Sequence, residues 1–482
     1  MSNKLIGVIP AAGRGVRLSS HTAKISKSLL KIGGEPIIER QIKVMRDKIG
    51  IKDIYILVGY KSHQITDYLK DGSALGVSIK YITINNVDKG LAYGLLEAER
   101  YAQDTFCMIL GDELYYNSNH QELLSSIGND FSAVCAIKEV KHTHIIRKNY
   151  SVDIENNLIT RLIEKPDVVK NHYLGCGTYI FKPQIFNYIK ITPPSQTSGR
   201  VELTDVINLM ANKGEKIRPF MLKGDYINVN NADDYNAANY MLRSMEFANK
   251  RISLIIPAYN EELSIGYVID DFKDKVDEIV VVNNNSKDNT ERIAKDKGAR
   301  VLTGNFGGYG DALKFGMDNA KGDIFILTEA DGSFYARDLG KMLEYLKDAD
   351  MVLGTRTTKQ LIEQAANMNF LLRCGNVFVA KIIELLWLYR YEPRLTDVGC
   401  TYRGIWKSVY YDIKDSLTGK GPEFSPEMII EAIKHNKRTI EIPITYTGRI
   451  GGESKFSKNL FHNAKTAIKM LRLILRKKFL DF

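Results

Sequence analysis

Only five of the 482 residues are cysteine (107, 135, 176, 374 and 400), and no two of them form a Cys-x-x-Cys pair. That scatter excludes a disulfide framework and predicts reduced thiols in the core or near a site, as in a cytosolic protein. Long hydrophobic runs are also missing. None reaches the ~18–20 residues that a membrane span needs. The longest candidate, Val377–Tyr389, is interrupted by Lys381 and Glu384 and reads as a buried helix. The opening MSNKLIGVIP has too short an apolar run for a signal peptide. No zinc-finger spacing and no aromatic-interleaved RNA motif occurs. The net charge of +10 and the pI near 9.0 therefore point to phosphorylated small molecules or an anionic membrane surface, with no nucleic acid among the partners. Gly/Ser-rich and Pro-rich linkers are absent as well.

What is present is ordinary for globular protein: 44% hydrophobic and 26% charged residues, with length for two or three domains. The chain starts twice. KLIGVIPAAGRGVR at the N-terminus and RISLIIPAYNEE from Arg251 both run from an apolar, β-branched strand through Ile-Pro into a polar loop. Strand signals at Leu5–Pro10, Ile54–Gly59, Ile79–Ile84, Phe106–Leu110 and Ala133–Ile137 alternate with helical patterns. The same rhythm follows Arg251, at Ile252–Ile256, Glu278–Val282, Arg300–Thr303, Ile324–Leu327 and Met351–Leu353. The expectation is an α/β protein, with parallel sheets covered by helices on both faces and ligands beyond the carboxyl ends of the strands. Ala232–Asn249 has helical periodicity without Gly or Pro, so a helix is expected to run into the restart.

In the first half, the loop Ala11-Ala12-Gly13-Arg14-Gly15-Val16-Arg17 lets backbone N–H groups approach a phosphate chain and adds fixed positive charge. Alone it reads equally well as a tight turn, and its spacing is not the dinucleotide GxGxxG. Lys24, Lys27, Ser28-Leu29-Leu30 and Gly33-Gly34-Glu35-Pro36 follow. With Gly13, Gly15, Arg17, Leu18 and Lys27 in place, this stretch resembles the sugar-phosphate nucleotidylyltransferases, with Ser26 where that family has Pro. The resemblance extends over residues 3–240. It implies base contacts at Lys89 and Gly90, a metal aspartate at Asp112, a Glu164-Lys165-Pro166 element whose lysine meets the sugar phosphate, and sugar contacts at Gly177, Glu202 and Asp205. It also implies a second metal ligand at Asn230, with Asn228 as the alternative. The Val229-Asn230-Asn231 element is similar to the acetylglucosamine-phosphate uridylyltransferase type, which favours UTP or CTP. Arg17 and Lys27 would stabilise charge on a triphosphate, Lys165 would place the attacking phosphate, and Mg²⁺ would be the cofactor.

In the second half, Pro257, Tyr259 and Glu261 open a stretch that resembles family 2 glycosyltransferases of the GT-A fold. Val281–Thr290 is similar to that family's nucleoside segment, with Asn283 where an Asp is expected. Glu329-Ala330-Asp331 ends a strand as the family's Asp-x-Asp does, and alternate residues there face one side. The resemblance implies a divalent ion on Glu329 and Asp331, Mg²⁺ or Mn²⁺. Leu353-Gly354-Thr355-Arg356, Arg373, Arg403 and the Arg449…Ser454-Lys455 element resemble the polyprenyl-phosphate sugar synthases, and Glu427 resembles their helix-start Glu. These imply Arg356 as the catalytic acceptor-phosphate contact and Arg373, Arg403 and Lys455 as further phosphate contacts.

Lys458–Phe482 places apolar residues at 461, 464, 468, 471 and 475 and basic ones at 465, 469, 472 and 476, two faces of one helix. It reads either as a docked terminal helix or as one lying on an anionic membrane. The expected organisation is two Rossmann-like nucleotide-diphosphate domains in tandem, 1–248 and 249–457, with the helix 458–482 behind them. The expected function is bifunctional: an NDP-sugar or NDP-polyol is made from NTP and a sugar phosphate, then transferred to a polyprenyl phosphate. Alternatives are a soluble or polysaccharide acceptor, or one domain serving only as a nucleotide-sugar binding module. The location expected is cytoplasmic, peripheral at the membrane's inner face, with a homo-oligomer left open.

Overall fold

The computed structural model describes residues 5–15, 18, 25–126, 128, 130–363, 366, 370–388, 394–451 and 460–480. Two compact units emerge, Met1–Leu242 and Arg243–Phe482.

In the first unit the strand Ile6–Pro10 is central, parallel to Asp53–Val58 on one side and Phe106–Ile109 on the other. Ser78–Thr83 extends the parallel set. These are the strands the apolar runs predicted. Apart from Ile217–Met221, which lies parallel to Ala133–Glu139, the rest departs from the parallel expectation. Tyr173–Phe181 runs antiparallel to Phe106–Ile109 and to Ala133–Glu139, and the hairpin Tyr150–Glu155/Leu158–Glu164 closes that edge. The sheet is therefore mixed. Tyr173–Phe181 is buried at every position after its first, so it lacks the alternation that marks an antiparallel strand. The hairpin had a local signal: Asn156 and Asn157 both adopt positive φ, 49° and 61°, as a two-residue turn between twisted strands demands. Apolar layers pack on both sheet faces. A small ribbon pairs Glu113–Tyr116 with Asp225–Asn228.

The helix Ala232–Glu246 and the turn Phe247–Asn249 carry the chain to the second unit. The unit boundary falls inside this helix. The second sheet has the order Arg300–Thr303, Glu278–Asn283, Ile252–Ala258, Ile324–Leu327, Arg403–Trp406, Met351–Thr355, Thr439–Pro443. The first four are mutually parallel, and Arg403–Trp406 is antiparallel to both neighbours.

Two helices differ from expectation. Phe370–Trp387 is not buried all round: Val379, Ala380, Ile383 and Trp387 face the core, while Phe378 and Leu385 are 64% and 73% exposed. In Leu460–Phe479 the docked face is Leu473, Ile474 and Lys477, and Ile468, Leu475 and Phe479 point outward. Of the predicted apolar stripe, Ile468 and Leu475 thus face outward while Leu471 packs on the core, and the docked face combines alkyl groups with a buried cation. Among the described residues no helix is long and apolar enough to cross a membrane. All five cysteines are free, and only Cys374 is exposed.

Candidate active sites

In the first unit the carboxyl ends of Ile6–Pro10 and Phe106–Ile109 open into a cavity of about 540 Å³. One wall is Ala11, Ala12, Gly13, Arg14 and Gly15; the opposite wall is Ile84, Gly90, Leu91 and Gly94. The glycine loop stays low because Ala11 N bonds Leu57 O at 2.8 Å, continuing the sheet past its last strand residue. Gly111 cannot carry a side chain, since a Cβ there would lie 2.6 Å from Pro10 O. This close approach of the two strand ends brings Asp112 beside the loop. Lys27 donates to Asp112 Oδ2 at 2.5 Å. Val229 N bonds Asp112 O at 2.9 Å, which sets Asn230 into the same cavity. Asn228 lies off it, donating to Asn149 Oδ1.

The other expected residues divide. Gly90 (φ 102°) lines the cavity against Val201, whose N–H bonds Lys89 O. The Lys89 side chain itself lies over the Tyr93 ring. Glu202 lines the cavity and accepts a bond from Ser198, with Arg200 beside it. Asp205 is not part of the lining; burial and the nearby Glu202 charge raise its pKa. Glu164 and Lys165 also lie outside the lining. Lys165 has φ 43° and its N–H bonds Asn149 O at 2.6 Å, so Asn149 joins Lys165 to Asn228. Gly177 is occupied in packing: a Cβ would meet the Glu113 carboxylate at 2.5 Å. Arg17 falls outside the described residues.

Glu113 itself was not anticipated. It is 1% exposed, and burial, then the Asp112 charge, push its carboxyl up to about 8. It opens the strand Glu113–Tyr116, which is buried at its first three positions, so no alternation marked it as inward-facing.

In the second unit a cavity of about 230 Å³ is lined by Pro257, Tyr259, Glu261, Asn284, Tyr309, Glu329 and Asp331, among others. Asn283 is not in it. Its side chain turns inward to Glu291 and Thr303, and the next residue, Asn284, faces the cavity while accepting Phe306 N–H at 2.9 Å. The three consecutive asparagines hid which one would face out. Glu329 accepts from Thr401 Oγ1 at 2.8 Å; burial, and then Asp331, push its carboxyl up to about 8. Asp331 holds Ser333 N–H at 2.9 Å through Oδ1. Its buried Oδ2 is ion-paired with Arg449 Nη2 at 2.9 Å.

Among the described residues no three His, Cys, Asp or Glu side chains converge as a metal group. Each cavity does carry hard oxygen donors: Asp112 with Asn230, and Glu329 with Asp331, whose buried Oδ2 already faces a cation, the Arg449 guanidinium. A divalent ion completed by phosphate oxygens and water fits this donor set.

The expected acceptor arginines are arranged unequally. Arg356 is clamped by Asp397 through Nε and Nη2 at 2.8 and 2.9 Å. The structure does not bring Arg403 to a cavity. It is buried and donates to Val398 O, Cys400 O and Ser425 O, fixing the loop in front of its strand. Arg373 lies one turn inside its helix over Phe370, and its buried Nε has no hydrogen-bond partner among the described residues. Lys455 lies outside the described residues.

Comparison with known proteins agrees with this division. A family model described as Nucleotidyl transferase matches residues 6–245, and one described as Glycosyl transferase family 2 matches residues 253–410. The bifunctional protein GlmU of Methanocaldococcus jannaschii is 33% identical over 238 residues, covering 49% of this chain and 53% of the relative. The match thus spans about half of that relative's length. The low-salt glycan biosynthesis nucleotidyltransferase Agl11 of Haloferax volcanii is 30% identical over 247 residues, 51% of this chain and 68% of the relative. Glycosyltransferase AglJ of the same organism is 28% identical over 204 residues, 42% of this chain and 64% of the relative. The chain belongs to the nucleotidyl transferase family through its first unit, and carries a family 2 glycosyl transferase domain behind it.

Proposed function

We propose that the chain makes an activated sugar in its first unit and transfers it in its second. In the first reaction an oxygen of a sugar or polyol phosphate attacks the α-phosphorus of UTP or CTP. The α–β bridging bond breaks and pyrophosphate leaves. Charge accumulates on phosphoryl oxygens, so positioned cations matter more than a covalent nucleophile. N–H groups of Ala12–Gly15 meet the triphosphate, Lys27 and Arg17 stabilise its charge, and Lys165 places the attacking phosphate. Asp112 and Asn230 would hold Mg²⁺, which supplies charge neutralisation. The observation that carries this reading is the Lys27–Asp112 bond at 2.5 Å in one cavity with the glycine loop and Asn230.

In the second unit Pro257, Tyr259, Glu261 and Asn284 would receive the nucleoside, with Glu329 and Asp331 holding Mg²⁺ or Mn²⁺ at the diphosphate. A polyprenyl phosphate is the acceptor we favour. Such an acceptor brings its own nucleophilic oxygen and needs cations rather than a base. Arg373 supplies one beside the exposed Phe370 and Phe378, and Arg356 a second, through the edge that Asp397 leaves open. The outward Ile468, Leu475 and Phe479, interleaved with Lys469 and Arg472, suit contact with an anionic membrane surface. The pairing also matches the words glycan biosynthesis and glycosyltransferase in the names of two relatives.

The test is pyrophosphate release from each nucleoside triphosphate against a panel of sugar phosphates. UTP or CTP should support release, and Lys27→Ala should lower it by orders of magnitude with the fold intact. Near-wild-type release by Lys27→Ala would sink the site assignment. Transfer of the resulting product to polyprenyl phosphate in vesicles tests the second half; transfer to soluble sugars alone would remove the lipid acceptor.

A further inference from the structure

The helix Leu460–Phe479 is fastened to its unit by a buried cation. Lys477 is 3% exposed. Its ammonium lies 2.9 Å from Glu427 Oε1 and 3.0 Å from Glu431 Oε1 and also donates to Ser416 O. Both carboxylates are fully buried. Two buried acids without a cation are strongly unfavourable, and this pairing raises the lysine's pKa against the effect of burial.

Glu427 has a second task. Its Oε1 accepts Thr418 N and Oγ1 at 2.9 and 2.8 Å, and its Oε2 accepts Gly419 N at 2.6 Å. Arg476, from the same terminal helix, donates to Thr418 Oγ1 at 2.7 Å. The loop held in this way presses on the glycine stretch of the donor cavity. Gly310 N bonds Lys420 O at 2.7 Å. A Cβ on Gly308 would lie 2.5 Å from Lys420 O, and one on Gly310 would lie 2.6 Å from Gly419 O. Gly308 and Tyr309 form one wall of the cavity that holds Glu329 and Asp331. An unbroken run of contacts therefore joins Lys477, through Glu427 and the Thr418–Lys420 loop, to the wall that meets the donor.

We propose that Lys477 is a positioning residue for the donor site, acting through Glu427 on the Gly308–Gly310 wall. This rests on the reading of that cavity as a nucleotide site. It adds a segment well beyond the 253–410 match to the machinery of transfer. Without Lys477, Glu427 turns away, the Thr418 and Gly419 N–H groups lose their acceptor, and the wall loses its backing.

Hydrogen exchange resolved by peptide tests this on the full chain, with UDP and CDP plus Mn²⁺ as probes. Protection of Pro257–Glu261 and Gly308–Ala312 reports binding in the second unit separately from the first. Lys477→Met should speed exchange at Thr418–Gly421 and Gly308–Ala312, leave Leu254–Ile256 protected, and raise the half-protecting nucleotide concentration about tenfold. Lys477→Arg should restore both. Thr418→Val, an exposed change that removes only the side-chain bonds, should act in the same direction and more weakly. Unchanged exchange in the loop would overturn the proposal. So would a loosened loop with unaltered nucleotide affinity, or loss of protection across the whole unit in Lys477→Met with Thr418→Val like wild type. Absence of nucleotide protection in the unsubstituted chain would overturn the donor-site reading itself, before any variant is compared.

Discussion

Arg449 Nη2 lies 2.9 Å from Asp331 Oδ2 and 3.9 Å from Glu329 Oε2. The guanidinium neutralises the carboxylate pair where a divalent ion is proposed to bind. Ile450 N bonds Asp331 O at 3.0 Å, so the segment bearing Arg449 is anchored on the same turn. Burial and the neighbouring Asp331 push the Glu329 carboxyl up to about 8, so it holds a proton more tightly than an ordinary carboxyl. Ion binding must displace that proton. Mn²⁺ affinity of the second unit, read by isothermal titration or electron spin resonance, should therefore rise as pH is raised from about 6.5 to 8.5 and then level off. Arg449→Gln should strengthen Mn²⁺ binding in the absence of nucleotide. Affinity independent of pH, or weaker in Arg449→Gln, would count against this arrangement.

Glu113 leads to a stability prediction. Burial and then the Asp112 charge push its carboxyl up to about 8, well above the usual carboxylate range, so the folded chain holds the proton more tightly than the unfolded chain does. The stabilisation linked to that proton is fully present below the unfolded pKa and is lost as pH rises through 8. Thermal unfolding of the first unit should accordingly shift downward in temperature across this window. Glu113→Gln, neutral and nearly isosteric, should flatten the profile; an unchanged slope would show that other groups set it.

Gly177 backs that same carboxylate. Gly177→Ala places a methyl 2.5 Å from Glu113 Oε1, in a strand with no room to yield. Overpacking of this kind costs about 1–3 kcal/mol, and denaturant unfolding should show it. A stability equal to wild type would mean that Glu113 has another orientation within reach.

Arg356→Ala is expected to do two things at once. It removes a proposed acceptor contact, and it strands Asp397, whose side chain is 0% exposed. Breaking a buried ion pair from one side costs about 3–5 kcal/mol. The double variant Arg356→Ala with Asp397→Asn should recover much of the stability while still failing to form lipid-linked product. Recovery of product formation as well would assign Arg356 to fold support alone.

Much of the architecture was legible because buried parallel strands announce themselves as short β-branched runs ending in Gly, Pro or Asp. Ile6–Pro10, Ile252–Ala258 and Ile324–Leu327 were all visible in this way. The candidate cavities were legible where an acidic residue closes a strand end, as with Asp112 and Asp331, both of which line them. It failed where orientation decides. Asn283 and Asn284 differ by one residue and face opposite sides, and Arg403 has the charge of a phosphate contact but the surroundings of a core residue. Pairings across long sequence separations, such as Lys477 with Glu427 and Asn149 with Asn228, leave no local periodicity and are seen only once the chain is folded.

The cation that Glu427 and Glu431 share arrives about fifty residues after them in the chain. Synthesis proceeds from the N-terminus and domains fold as units, so the first unit is complete while the second still lacks the cation that bridges its two buried carboxylates. During translation the nucleotidyl transferase unit therefore precedes the glycosyl transferase unit, which gains the buried cation shared by Glu427 and Glu431 only when residue 477 has emerged and docked.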